Sequence, residues 1–283
     1  MRTVASQHII AWLIRAMTYL IVFVIASIII KILWNGASVI NWEFLTTMPK
    51  RGGSEGGILP AIVGTMSLAL GTVIIALPLG MATAIYLSEY AKAGRFTRTV
   101  RLAIVTLAGV PSIVFGLFGL GLFVIFLRFG ASIIAGCFTL ACMILPIIIV
   151  SSEEALRAVP KSLREGSLAL GATKWQTIYK NVLPYSISGM LTGSILGIGR
   201  AAGETAPILL TVAAFYLPRL PKSIFDQVMA LPYHLYVLAT QHPDIEKVRP
   251  LQYATALVLL ALVLGVNLLA ILLRIHIRKK YRW

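Results

Sequence analysis

Apolar residues in this chain gather into six runs, at about 12–34, 58–87, 102–127, 131–150, 185–216 and 251–273. As a helix, at 1.5 Å per residue, each is long enough to cross a hydrocarbon core of about 30 Å. Lipid offers no partner to a backbone N–H or C=O, so each run must close its own hydrogen bonds as a helix. Residues are 58% hydrophobic and only 12% charged, against about 45–50% and about 25% in a soluble domain. The expected fold is an all-α polytopic membrane protein with six transmembrane helices, a single domain over 1–283. Pro78, Pro111, Pro146 and Pro207 fall inside the runs and are expected to kink or loosen them.

The net charge of +15 is carried in clusters. Lys92, Arg95, Arg98 and Arg101 form one, Arg157, Lys161, Arg164, Lys174 and Lys180 a second, and Arg274, Arg278, Lys279, Lys280 and Arg282 a third. Two spans separate each cluster from the next, so all three share one side. That is the positive-inside pattern, with both termini cytoplasmic. It points to the bilayer and its anionic lipids, not to nucleic acid. The first run is too long for a cleaved signal peptide and lacks a small-residue cleavage site, so it reads as a retained span. Cys137 and Cys142 lie about 140° apart on a helix and cannot bridge each other. The four histidines are scattered, and no zinc-type spacing exists.

The fifth run contains Arg200 and Glu204. Each charge costs about 2.5–3.5 kcal/mol at the centre of a membrane helix. Four residues apart, they share a helix face and can touch. One reading is a self-satisfied ion pair. The other is a pair lining the route of an anion, since arginine offers a planar fork of donors and a charge that persists at any working pH. Gly189, Gly193, Gly197 and Ala201 repeat every four residues beside it, a stripe that lets helices approach closely. It suits packing within this subunit or against a second one.

Between the fourth and fifth runs lies a polar segment, 151–184. Ser162/Glu165 and Thr173/Gln176 each spell a capping box, with Gly171 between them as a helix stop. Two short amphipathic helices are expected, either lying on headgroups or docking a cytosolic partner. A second polar segment, 217–250, faces the other side.

Glu165-Gly166-Ser167, three residues, Gly171, eleven residues, Leu183-Pro184 resembles the EAA loop of ABC importer permeases. Gly166 and Ser167 stand where that family has Ala-Ala, and Asn181 where it has Ile. GVPSIVFGLFGLGLFV (109–124) and RAAGETAPILLT (200–211) are similar to the PstA-type permeases of phosphate-specific ABC importers. The resemblance implies an ABC importer type I (MetI-like) permease fold in a prokaryotic inner membrane. It implies a homologous second permease, two ATPase subunits and an extracytoplasmic phosphate-binding protein as partners. Glu165, Gly171, Leu183 and Pro184 would couple to the ATPase; Arg200 and Glu204 line the pathway only on the charge argument above. No G-x-x-x-x-G-K-[ST] is present, so ATP would be hydrolysed by a partner and no cofactor is expected on this chain. A permease for molybdate, tungstate or sulphate shares the architecture. An ion-coupled secondary transporter would show duplicated halves, and none is evident.

Overall fold

The computed structural model describes the backbone of residues 2–280 and the side chains of residues 10–279. The last part of the basic tail, Arg282 included, lies outside the described residues. The protein is a helical bundle with one two-stranded hairpin. Five helices are long and apolar enough to cross a membrane, and a bent pair brings the number to six.

The first is α1 (Arg2–Gly36), whose lipid-facing side chains Leu20, Phe23 and Ile30 stay exposed. A short α2 (Trp42–Thr46) is capped by Asn41, whose side chain accepts from the Phe44 N–H. Strands β1 (Pro49–Lys50) and β2 (Glu55–Gly56) pair antiparallel around the glycine-rich turn. The second span, α3 (Leu59–Ile85), runs into a π-helical turn, Tyr86–Tyr90. Pro78 is accommodated inside it.

The third run is not one helix. It breaks between α4 (Arg95–Leu107) and α5 (Ser112–Gly119, extended by π-helical turns to Phe126), and the two arms differ in direction by 106°. Pro111 supplies the cause: it has no N–H to donate and it disfavours the α conformation at the residue before it. Arg95, Arg98 and Arg101 of the first basic cluster lie within α4.

The centre of the bundle is α6 (Ile133–Arg157), capped by Ser132. It reaches seven residues beyond the expected end, so Glu153 and Arg157 belong to it. Buried Leu140, Met143, Ile144, Ile148 and Leu156 lie along its length. Close approach to α3 is made by small residues: a Cβ on Gly71 would lie 2.5 Å from Cys137 Sγ, and one on Gly80 2.6 Å from Ile148.

The next segment holds α7 (Lys161–Ala169) and α8 (Lys174–Thr177). The capping box expected at Thr173/Gln176 is present, and Gly171 stops α7 with φ +83°. The box expected at Ser162/Glu165 is absent, because α7 starts two residues earlier than a Ser162 cap requires, behind Pro160, which has no side-chain cap to give. From α8 a π-helical turn (Ile178–Val182) leads into α9 (Leu183–Gly203).

The fifth run also breaks. After Gly203 the chain turns extended at Glu204 (φ −75°, ψ 136°) before α10 (Ala206–Thr211). Pro207 could not donate to the Gly203 carbonyl, and its ring would crowd it, so the helix ends there. Irregular chain follows to α11 (Leu231–Thr240). The last span, α12 (Ile245–Lys280), begins before its expected start and contains Pro250. It packs on α1 where Gly36 meets the Tyr253 carbonyl.

Candidate functional site

At the end of α9, Arg200 Nε donates to Glu204 Oε1 at 3.1 Å. The two residues do not share a helix face as their spacing suggested. Arg200 lies in the last turn of α9, and Glu204 is the residue at which the chain leaves it. The Arg200 side chain is 40% exposed and Glu204 17%. The other two guanidinium nitrogens have no partner among the described residues. Glu204 lines a cavity of about 10 Å³ with Thr65, Leu140 and Pro232, room for about one water and none for an oxyanion. The pair therefore presents its arginine outward from the bundle and its carboxylate inward.

Helix α9 is held by its glycines, and within this subunit. A Cβ on Gly189 would meet Ala155 Cβ at 2.7 Å, one on Gly193 would meet Ser151 Oγ at 1.7 Å, and one on Gly197 would meet Ile144 and Ile148 at 3.6 Å. All these neighbours are on α6. Ala201 is buried in the same central core as Leu140 and Ile208. On another face, Gly199 abuts the Asn267 amide of α12.

At the basic end, Glu165 is exposed on α7, and Gly171 opens to free space. Leu183 and Pro184 form the first turn of α9. Leu163, Leu168, Leu170, Trp175 and Tyr179 are all exposed. Trp175 and Tyr179 stack at 6.2 Å, and Lys174 Nζ lies 4.9 Å from the centre of the Tyr90 ring. Two departures from the family's loop pattern turn out to be partners. Asn181 Nδ2 donates to Ser167 Oγ at 2.9 Å, and Ser167 Oγ lies 3.0 Å from Thr177 Oγ1. The polar side chain at 181 is thus satisfied by the hydroxyl at 167.

Several charged residues with structural roles were not singled out in the sequence. Glu153 Oε1 receives both Arg101 Nη2 and Arg157 Nη2 at 2.7 Å. Glu89 receives Arg164 at 2.8 Å. Their signal was available: an acidic residue at the edge of an apolar run seeks a cation. The spacing i to i+4 exposes only the Arg157 partner. The turn Gly52–Gly53–Ser54–Glu55–Gly56 also spells G-x-S-x-G, the pattern of a nucleophile elbow. It joins two-residue strands instead of a strand and a helix, and Ser54 Oγ donates to the Arg51 carbonyl, not to a base.

Beyond the spans, His234 stacks on Phe215 at 6.1 Å. Burial pushes its pKa down to about 4, so it is neutral near pH 7 and offers an anion no charge. Asp226 accepts from the Lys222 and Ser223 N–H groups, which hold its carboxyl below the usual range.

Comparison with known proteins gives a consistent set. The family described as "Binding-protein-dependent transport system inner membrane component" matches residues 76–283. The probable phosphate transport system permease protein PstA of Methanocaldococcus jannaschii is 34% identical over 92% of this chain and 91% of its own length. Phosphate transport system permease protein PstA 1 of Mycobacterium tuberculosis is 38% identical over 80% of this chain and 72% of its own. The probable ABC transporter permease protein YqgI of Bacillus subtilis is 35% identical over 80% and 82%. Among solved structures, a chain of a bacterial alginate ABC transporter superposes with TM-score 0.64 at 15% identity, covering 95% of this chain and 94% of that one. A chain of the inward-facing MetNI methionine ABC transporter gives 0.58 at 16%, over 78% and 94%. The likeness to these structures is one of fold.

Proposed function

The chain belongs to the family of binding-protein-dependent transport system inner membrane components, and from that premise we propose that it is the transmembrane permease subunit of an ATP-driven importer of inorganic phosphate. The observation that carries the substrate is Arg200. Its fork stands exposed at a helix break, with one nitrogen engaged by Glu204. An oxyanion can take the remaining donors in bidentate fashion. Glu204 then accepts a hydrogen bond from the protonated oxygen of hydrogen phosphate. A fully deprotonated oxyanion has no such proton, and its charge meets a carboxylate instead.

The exposed side of Arg200 suits a pathway completed by a homologous second permease. The termini and the 151–184 segment lie on the cytoplasmic side, following the basic clusters, and 217–250 lies outside, where a phosphate-binding protein delivers its cargo. Two ATPase subunits hydrolyse the ATP; this chain catalyses no covalent chemistry and binds no cofactor. Glu165, Gly171 and the exposed aromatic and leucine side chains of 163–179 form the surface that docks into an ATPase. Movement of that surface passes through Leu183–Pro184 into α9, and so to Arg200. Glu204 holds the guanidinium between substrates and releases it to the anion.

Uptake of labelled phosphate into vesicles carrying the reconstituted complex tests this reading. The expected result is ATP-dependent uptake that excess sulphate or molybdate leaves in place. Uptake of either competitor in preference to phosphate would contradict it.

A further inference from the structure

Resting on the docking reading above, we infer that Arg164 is the positioning residue that makes the docking helix a rigid lever on the second and fourth spans. Helix α7 buries none of its own side chains, so apolar packing does not fix it to the bundle. Ser167 ties it to Thr177 and Asn181 at the entry to α9, and Arg164, the residue before Glu165, ties it to the second and fourth spans. Its Nη1 donates to the Val159 carbonyl at 2.7 Å. Its Nη2 donates to the Leu156 carbonyl and to Glu89 Oε1, both at 2.8 Å.

These acceptors belong to different parts of the molecule. Leu156 lies in the last turn of α6, where its carbonyl also takes the Val159 N–H at 3.3 Å, and Val159 lies just beyond the helix. A cation there is also favoured by the helix dipole. Glu89 lies 75 residues away from Arg164 in sequence, in the π-helical turn that ends the second span. Its side chain is 9% exposed and that of Arg164 22%. Among the described residues, Arg164 makes the only side-chain hydrogen bonds from α7 to these two spans.

A planar guanidinium holds these three acceptors through two nitrogens of a rigid fork; an ammonium has three donors, but on one atom at the end of a flexible stem. The consequence for transport is mechanical. Helix α6 carries the Ser151 and Ala155 positions against which Gly193 and Gly189 of α9 are seated. A displacement of α7 therefore reaches α9 by two routes, covalently through Leu183–Pro184 and laterally through Arg164 and α6. Without the lateral route α7 moves with slack, and ATP is hydrolysed with less transport.

The test uses the reconstituted complex with its ATPase, second permease and binding protein. Arg164→Gln, Arg164→Lys and Glu89→Ala are each made in the parent chain and in a Leu170→Cys background. Two quantities are read: disulfide cross-linking of position 170 to cysteines in the ATPase, and phosphate transported per ATP hydrolysed. The inference predicts cross-linking at parent level in all three, with phosphate per ATP falling several-fold in Arg164→Gln and Glu89→Ala and by an intermediate factor in Arg164→Lys. A parent ratio in both Arg164→Gln and Glu89→Ala, with cross-linking intact, overturns it. Loss of cross-linking in both reduces Arg164 to holding the loop folded, and also overturns it. Should Arg164→Gln fail to accumulate, Glu89→Ala decides, since it removes one arm of the tie and leaves the two carbonyl contacts. Absence of cross-linking in Leu170→Cys alone contradicts the docking reading itself, so the two failures are distinguishable.

Discussion

Glu153 at the basic end of α6 receives arginines from two helices, Arg101 of α4 and Arg157 of its own, both at 2.7 Å. Arg101 is further tied to the Leu87 carbonyl at 2.7 Å. About 25 Å along α9 from Leu183, at 1.5 Å per residue, Arg200 and Glu204 form the other kind of pair. It joins one chain segment to itself, spans 3.1 Å through a single nitrogen, and sits where the helix has stopped. The first arrangement has several partners and bridges elements, so it opens only by breaking contacts between helices. The second gives up one hydrogen bond when it opens. On the function proposed above, charge in this bundle is fixed where helices are held together and exchangeable where an anion passes.

Substitutions separate the two regions. Arg200→Gln should give the largest effect on transport. Two charge-assisted hydrogen bonds at about 1.5–3 kcal/mol each set a loss of about 100-fold or more in phosphate uptake. The complex should still assemble, as measured by co-purification of the ATPase. Normal uptake in assembled vesicles would place Arg200 among the static pairs.

Gly193→Leu should come next, and on folding. Its first added carbon would lie 1.7 Å from Ser151 Oγ, and overpacking of a filled interface costs about 1–3 kcal/mol or more. A reduced yield of folded subunit and a lower unfolding temperature are expected. Unchanged values in both would remove the α6–α9 seat from the account.

Glu153→Gln should give the smallest effect. Its two arginine partners remain partly in water, 36% and 58% exposed, so the loss is about 1–2 kcal/mol, below the about 3–5 kcal/mol of a fully buried pair. Thermal stability should fall while uptake per folded complex holds. A transport defect without destabilisation would erase the distinction between the two regions.

How much of this was legible in the sequence varies with the range of the interaction. The apolar runs gave the spans because length and apolarity together decide whether a segment can cross lipid. Gly171 and the Thr173/Gln176 box were readable because both act within a few residues. The breaks after Leu107 and Gly203 were not placed, since each lies inside one continuous run long enough for a span. Pro111 and Pro207 announced a disturbance there without fixing its angle. Arg164–Glu89 and Asn181–Ser167 are contacts between distant positions that no local spacing can reveal. The glycine stripe told that α9 is closely packed; only the coordinates of Ser151 and Ala155 identify its partner as α6.

The claim that Arg200–Glu204 is an exchangeable pair, with the arginine as the anion's ligand, is tested most directly by reversing it. Arg200→Glu combined with Glu204→Arg keeps an ion pair of the same composition and moves the fork off the end of α9. The account predicts an assembled complex with no phosphate uptake above background. Uptake restored to the parent level would show that only the pair's neutrality matters, and would contradict it.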